Sequence, residues 1–214
     1  MFSGQIAFES SVEPQSDLQS GSQPDSPSDS QSFYCRINDY HQLRLLRSHD
    51  AKELFTLIEA NRTHLSQWLS WLPTTQTVDD TRHFIGLTQE RARNNQGFAA
   101  AICYHNAIVG VIGLHDVRWE DRRSSIGYWL AKPYQGKGLM TTSCQAVIHY
   151  GFNQLNLNRL SILCASENIR SQAIPERLGF HYEGTLRDAQ WLYTRFVDHK
   201  IYAMLKRQWL SLKD

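Results

Sequence analysis

Residues Ser124 to Leu155 read SSIGYWLAKPYQGKGLMTTSCQAVIHYGFNQL, and three local signals follow one another in them without a gap. Ser124 to Leu130 is dense in aromatic and aliphatic side chains and is stopped by Lys132-Pro133, the pattern of a buried strand. From Met140 the apolar positions Cys144, Val147, Ile148, Gly151, Phe152 and Leu155 recur at steps of three and four, with Thr142, Gln145, His149, Asn153 and Asn156 opposite. That spacing predicts an amphipathic helix with one face in the core.

Gln135-Gly136-Lys137-Gly138-Leu139-Met140 joins the two. Two glycines two residues apart allow a tight turn without a Cβ in the way, so successive N–H groups at the helix start converge on one point. The helix dipole adds about half a positive charge there. Lys137 can add a whole one, which makes a diphosphate the natural guest. A G-x-G before a helix also fits a plain strand–helix connection. The dinucleotide fingerprint is excluded, because the third glycine and the acidic residue about 20 positions on are missing. A P-loop is excluded as well, since no Gly-Lys-Ser/Thr follows a four-residue spacer.

The 214-residue chain has room for one domain and some extra sequence. Its 22 basic and 21 acidic side chains nearly cancel, which excludes the clustered basic excess of a nucleic-acid binder. Cys35, Cys103, Cys144 and Cys164 are far apart and three lie in apolar runs, so they read as reduced core residues, with no metal site. No stretch reaches the roughly 20 apolar residues of a membrane span, and no leader pattern opens the chain. The expected location is the cytoplasm.

Residues 1–32 are rich in Ser, Gln, Asp and Pro and read as a disordered tail; the globular domain is expected over 33–214. Phe33 to Ile37 and Leu43 to Leu46 suggest a short hairpin or one bulged edge strand. Asp50 reads as the N-cap of a helix through Leu54, Leu57 and Ile58. Trp68 and Trp71, close together before Pro73, fit a stacking wall for a substrate or plain core. A second helix opens at Asp79 or Asp80 and ends at Asn95-Gln96-Gly97. Phe98 to Tyr104 and Ala107 to Leu114 form a hairpin around His105-Asn106, and Asp116 to Arg123 a loop. Arg159 to Cys164 is a strand, and a helix capped near Asn168 runs to about Leu178 with Gly179 behind it. His181 to Thr185 and Thr194 to Leu205 are two further strands, with a loop at Arg187 to Tyr193. The order is α+β with a mixed sheet.

Taken together these motifs resemble the GNAT acetyltransferase superfamily. Its pyrophosphate motif, Q/R-x-x-G-x-G/A, is matched by Gln135, Gly138 and Met140, where Met140 replaces the usual small residue. From about Phe33 to Trp209 the chain is similar to the RimJ/RimL-type N-acetyltransferases, which include enzymes that acetylate the N-terminal amino group of ribosomal proteins. The resemblance is carried by Ile126-Gly127-Tyr128-Trp129-Leu130, Gln135 to Gly138, Cys164 to Asn168 with Ser171, Leu178-Gly179-Phe180, Glu183-Gly184 and Val197-Asp198-His199. It implies the GNAT fold, a mixed, mostly antiparallel twisted sheet of about seven strands with about four helices, and acetyl-CoA as co-substrate. The strand before the loop would splay from its neighbour and present the backbone of Tyr128, Trp129 and Leu130 to the acyl-pantetheine arm. Gln135, Gly136, Lys137, Gly138, Leu139 and Met140 would hold the phosphates. Asn168 and Ser171 would lie beside the pantetheine and the thioester, although Asn168 serves equally as a helix cap.

The resemblance implies direct attack in a ternary complex, with Ser171 as proton donor to the departing thiolate. A protonated amine must also lose a proton to a base. The ribosomal-protein branch leads us to expect a glutamate in the segment matching Ala189 to Leu192, and Gln190 stands there instead. Glu183, Asp116, Asp188, His115 or a water held among them remain as candidates. The expected acceptor is a protein N-terminus. A small amine, namely a polyamine, amino acid or aminoglycoside-like molecule, is the alternative, with Asp79, Asp80, Asp116, Glu120 and Asp121 as an acidic pocket. A third reading, kept open by Gln190, is a non-catalytic acyl-CoA-binding module. The assembly is open between a monomer and a homodimer.

Overall fold

A computed structural model describes residues 33–211. The tail expected over residues 1–32 lies outside the described residues. Strands β1 (Tyr34–Arg36), β2 (His41–Leu45), β3 (Phe98–Tyr104), β4 (Ala107–Arg118), β5 (Arg123–Leu130), β6 (Arg159–Ala165), β7 (His181–Leu192) and β8 (Arg195–Leu205) share one sheet. Their order across it is β1-β2-β3-β4-β5-β6-β8-β7. Every neighbouring pair is antiparallel except β5 and β6. Helices α1 (Ala51–Ala60), α2 (Arg62–Leu65), α3 (Val78–Arg93), α4 (Leu139–His149), α5 (Ile169–Arg177) and α6 (Lys206–Ser211) pack around it.

This is the mixed α+β sheet expected, with eight strands because residues 33–46 make a true hairpin. The two helices beyond the expected four are short, α2 and α6. The β3–β4 turn is the one anticipated: His105 (φ 49°) and Asn106 (φ 64°) are both left-handed, as a two-residue turn matching strand twist requires. Three boundaries differ. β4 runs on to Arg118 through a bulge at Asp116, and β7 continues through residues 187–192 to a tight turn at Tyr193-Thr194. Both long strands are locked by partners far away in sequence, which outweigh their polar composition. The helix cap of α3 is Thr77, whose Oγ1 accepts from Asp80 N–H while the Asp80 carboxylate reaches back to Thr77 N–H. Asp50 precedes α1 but caps it with no side-chain bond. Its buried carboxylate instead takes Arg44 at 2.6 and 2.9 Å and the Arg47 N–H at 2.7 Å.

Side-chain alternation along the strands divides the core into two halves. Ile112, Ile126 and Tyr128 pack with Cys144, Val147, Ile148 and Phe152 of α4 and its continuation. Ala101, Val111, Trp129, Ala165 and Val197 pack with Leu54, Leu65, Leu69 and Ile85 on the other face. Trp68 and Trp71 are half-buried at the edge of that second half.

The parallel pair is where the sheet opens. β5 and β6 are in register only at Arg123 with Arg159, Ser124 with Leu160 and Ser125 with Ser161. Beyond that β5 stays on β4, up to Gly110 opposite Leu130, while β6 follows β8 to Ala165 opposite His199. The two strands therefore diverge toward their C-terminal ends.

Candidate active site

Divergence leaves one edge of β5 without a strand partner. Ala131 N–H donates to Val109 on the β4 side at 2.9 Å. Backbone groups in an antiparallel ladder alternate sides, so Leu130 and Tyr128 turn their N–H and C=O groups toward the gap. β5 ends at Leu130, Pro133 follows in a single helical turn, and Gly136 (φ 75°) and Gly138 (φ 76°) both adopt left-handed backbone. Gly138 is the N-cap of α4. Apart from the adjoining chain, no atom lies within 4 Å of where a Cβ would stand at either glycine, so the turn that opens α4 borders open space. Asn61, at the junction of α1 and α2, fixes the entry to this loop by accepting the Lys132 N–H at 3.0 Å.

Across the gap α5 begins at Asn168, whose Oδ1 accepts the Ser171 N–H at 3.1 Å. Asn168 therefore is a helix cap and lines the cavity at once. Ser171 is 9 % exposed. Its Oγ lies 3.2 Å from Cys164 Sγ and 3.5 Å from the Tyr128 hydroxyl, which itself donates to the Ser171 carbonyl at 3.0 Å. Burial raises the Cys164 thiol above its ordinary value and the Tyr128 hydroxyl well above its own, so both stay protonated around neutral pH.

These elements enclose a cavity of about 870 Å³. Tyr128, Trp129, Leu130, Gln135, Gly136, Gly138, Leu139, Met140, Asn168 and Ser171 all line it. Lys137 does not; its Nζ sits 5.4 Å from the Tyr134 ring centre and 5.7 Å from that of Tyr104. The positive charge comes from Lys132, Arg170 and Arg177 instead, and no Asp or Glu is among the lining residues. Arg170 donates to Gln135 Oε1 at 2.6 Å, and Arg177 to Thr141 Oγ1 at 2.9 Å, so two arginines of α5 span the cleft to the loop and to α4. Gln135 Nε2 meets His64 Nε2 at 2.8 Å. Burial, then Lys132 and Arg170, hold the His64 imidazole below its usual range and so uncharged at pH 7. Trp68 also lines the cavity, so its two expected roles, wall and core, coincide.

Residues 42–181 match the family model described as Acetyltransferase (GNAT) domain. The chain belongs to the GNAT acetyltransferase family. A Bacillus subtilis (strain 168) protein provisionally named as the ribosomal N-acetyltransferase YdaF is 36 % identical over 178 residues, 83 % of this chain and 97 % of that one. The ribosomal-protein-serine acetyltransferase of Escherichia coli (strain K12) is 28 % identical over 170 residues, 79 % of this chain and 95 % of that one. A solved structure of the microcin C7 self immunity acetyltransferase MccE, in complex with acetyl-CoA and AMP, superposes with a TM-score of 0.75. It is 27 % identical and covers 79 % of this chain and 94 % of its own.

This GNAT enzyme is an N-acetyltransferase, and acetyl-CoA is its co-substrate. The cavity fits that molecule. It offers an unpaired strand edge for an amide-bearing arm, a glycine turn at a helix start, and three cations for phosphates.

Of the expected acid and base candidates only Ser171 faces the cavity. Glu183 is bound by Arg159 through two hydrogen bonds, 2.6 and 2.5 Å, and that guanidinium holds its carboxyl below the usual range. Asp116 is exposed at the β4 bulge, and Asp188 is exposed on β7; neither lines the cavity. His115 is pushed down to about 4, first by burial, and also lies outside it. Gln190 lies between two partners, His199 Nε2 at 3.0 Å and Ser70 Oγ at 2.8 Å. Sequence reasoning missed Lys132, Arg170, Arg177 and His64. The one available signal was the seven-residue spacing of Arg170 and Arg177, which places both on one helix face.

Proposed function

We propose that this enzyme transfers the acetyl group of acetyl-CoA to the N-terminal amino group of a protein, a ribosomal protein first of all, by direct attack of the amine on the thioester. The observation that carries the acceptor class is the absence of any carboxylate among the residues lining the cavity. A polyamine or aminoglycoside brings several positive charges, and the cavity lining offers no carboxylate to pair with them. The five acidic residues considered for such a pocket all lie outside the cavity lining. Asp80 is spent on the α3 capping box, Asp79 pairs with Arg82, and Asp121 with Arg123. A protein N-terminus brings one charge, and the names of the relatives from Bacillus subtilis and Escherichia coli support it.

In the proposed reaction the glycine turn at Gly136 and Gly138, with Arg170, Arg177 and Lys132, holds the phosphates, while Lys137 adds a more distant charge. The Leu130 N–H, turned to the gap, stabilises the thioester oxygen as it gains charge. Ser171 gives its hydroxyl proton to the departing sulfur and is positioned by the Asn168 cap and the Tyr128 hydroxyl. The four cysteines are free, in keeping with a cytoplasmic location. For the assembly we keep the homodimer, to be read by analytical ultracentrifugation.

Incubation with labelled acetyl-CoA and a cell lysate, followed by separation of proteins from small metabolites, tests the acceptor class. Label in the protein fraction, on N-terminal residues, is the expected result. Label confined to small amines would overturn the reading. CoA binding without any transfer would instead favour the non-catalytic module that Gln190 kept open.

A further inference from the structure

One buried imidazole lies on β8, outside the residues that line the cavity, is tied through Gln190 to Ser70, two residues beyond the lining residue Trp68, and has no part in the reaction as described so far. His199 lies on β8 directly opposite Ala165, the last residue of β6, and is 2 % exposed. Residues directly opposite in an antiparallel pair share a face of the sheet. His199 is therefore on the side of Ala165, Trp129 and Leu69, where Trp68 forms the rim of the cavity. Ser171 is on the other side, against Cys164, which precedes Ala165 and belongs to the opposite half of the core. Two protic groups thus bracket the end of β6 from opposite faces at one level.

Gln190 fixes the chemistry of that imidazole. Its amide nitrogen donates to Ser70 Oγ, so its oxygen faces His199 Nε2, and an amide oxygen only accepts. With the amide in this orientation Nε2 carries the ring proton, which leaves Nδ1 as the lone-pair nitrogen. Nδ1 has no hydrogen-bond partner among the described residues. Burial holds the ring below 6.5 against the opposing pull of Asp198, so it is neutral at pH 7. The groups set around it are Ala165 of β6, Leu186 and Gln190 of β7, Ser70 after α2, and on its own strand Asp198 and Lys200. Lys200 is engaged by Gln172 Oε1 at 2.8 Å.

We propose that His199 is the proton acceptor of acetyl transfer, reached through a water on Nδ1, and that Gln190 is the positioning residue that sets its tautomer. The inference rests on direct attack by the amine. The ammonium group loses one proton through that water to Nδ1, and the freed lone pair forms the N–C bond. The C–S bond breaks, and the sulfur takes the Ser171 hydroxyl proton. The second proton lost by the nitrogen restores the serine, and His199 returns its proton to solvent, a net release of one proton per turnover. On this account the glutamate expected in the β7 segment is unnecessary, because the base has moved one strand over.

The test uses the full chain, calorimetry with CoA, and initial rates of label transfer from acetyl-CoA to the lysate proteins between about pH 5 and 9. His199→Gln is expected to bind CoA within threefold of wild type and to lose roughly 100-fold in rate, the scale of a general base. The wild-type rate falls on acidification along a limb that His199→Gln lacks. Gln190→Glu moves this limb to higher pH, because a carboxylate on Nε2–H favours the imidazolium. A His199→Gln rate within threefold of wild type, or a limb unmoved in Gln190→Glu, overturns the proposal. Should His199→Gln no longer bind CoA, Gln190→Glu alone decides. Absence of transfer by the wild type would count against the acceptor reading; imidazole nitrogen NMR would then judge His199, and an Nδ1–H tautomer would refute its role.

Discussion

At the scale of single residues the site depends on positions whose neighbours are open space or a single partner. Gly138 has left-handed backbone and nothing within 4 Å of a would-be Cβ. Gly138→Val therefore carries about 1–2 kcal/mol of backbone strain and puts a branched side chain over the start of α4. Calorimetry is expected to show CoA affinity reduced at least about tenfold, more than a fall of a few degrees in melting temperature alone accounts for. Ser171→Ala should lower kcat about 10- to 100-fold with little change in KM for acetyl-CoA, and equal loss in both would assign Ser171 to binding. Glu183→Gln should leave kcat within about twofold, since Arg159 holds that carboxylate outside the cavity lining; the ion pair is half-exposed and worth about 1 kcal/mol at most. The turn at Gly136 and Gly138 and the capped start of α5 were readable from sequence because their signals are local: a glycine pair and a cap. The pairing of Glu183 with Arg159 was not, because the two stand 24 positions apart.

At the scale of elements, the site exists because β5 and β6 separate, and their separation depends on how the elements beside them are anchored. Asp50 ties the end of β2 to the start of α1 through Arg44 and the Arg47 amide, with its carboxylate 2 % exposed. Burial alone would raise that carboxyl, but the Arg44 and Arg47 bonds outweigh it and the net shift is downward. A depressed carboxyl stabilises the fold above its ordinary value near 3.8, and that contribution disappears as pH falls toward the folded value. Denaturant unfolding of Asp50→Asn should show a loss of about 3 kcal/mol at pH 7, shrinking below about pH 4; an equal loss at both pH values would refute the linkage. Asp50 looked like a helix cap in the sequence because it precedes an apolar-periodic run. The structure gives the carboxylate to Arg44, a stronger donor six residues earlier at the end of β2. The sequence pattern ends β7 early for a related reason: Arg187, Asp188 and Gln190 are polar, and the strand continues past a register shift because Gln190 to Leu192 pair with β8.

At the scale of the whole molecule, α5, the pyrophosphate loop and the segment after α2 all contribute walls of the cavity, so a bound co-substrate should tighten the fold. With CoA at about 100 times its Kd the folded state gains about 2.7 kcal/mol, a rise of roughly 5–10 °C in melting temperature, measurable by differential scanning fluorimetry. Dephospho-CoA, which carries fewer charges to meet Lys132, Arg170 and Arg177, should give a smaller rise. The sequence by itself determined the strand–turn–helix unit from Ser124 to Leu155, the α+β sheet and the family, because those rest on periodicity and on glycine and proline punctuation within a few residues. Only the tertiary structure decided which charges face the co-substrate and which nitrogen of His199 is left as a base. Electrostatics at a point sums over α2, β5, α5, β7 and β8, segments whose proximity no local pattern encodes.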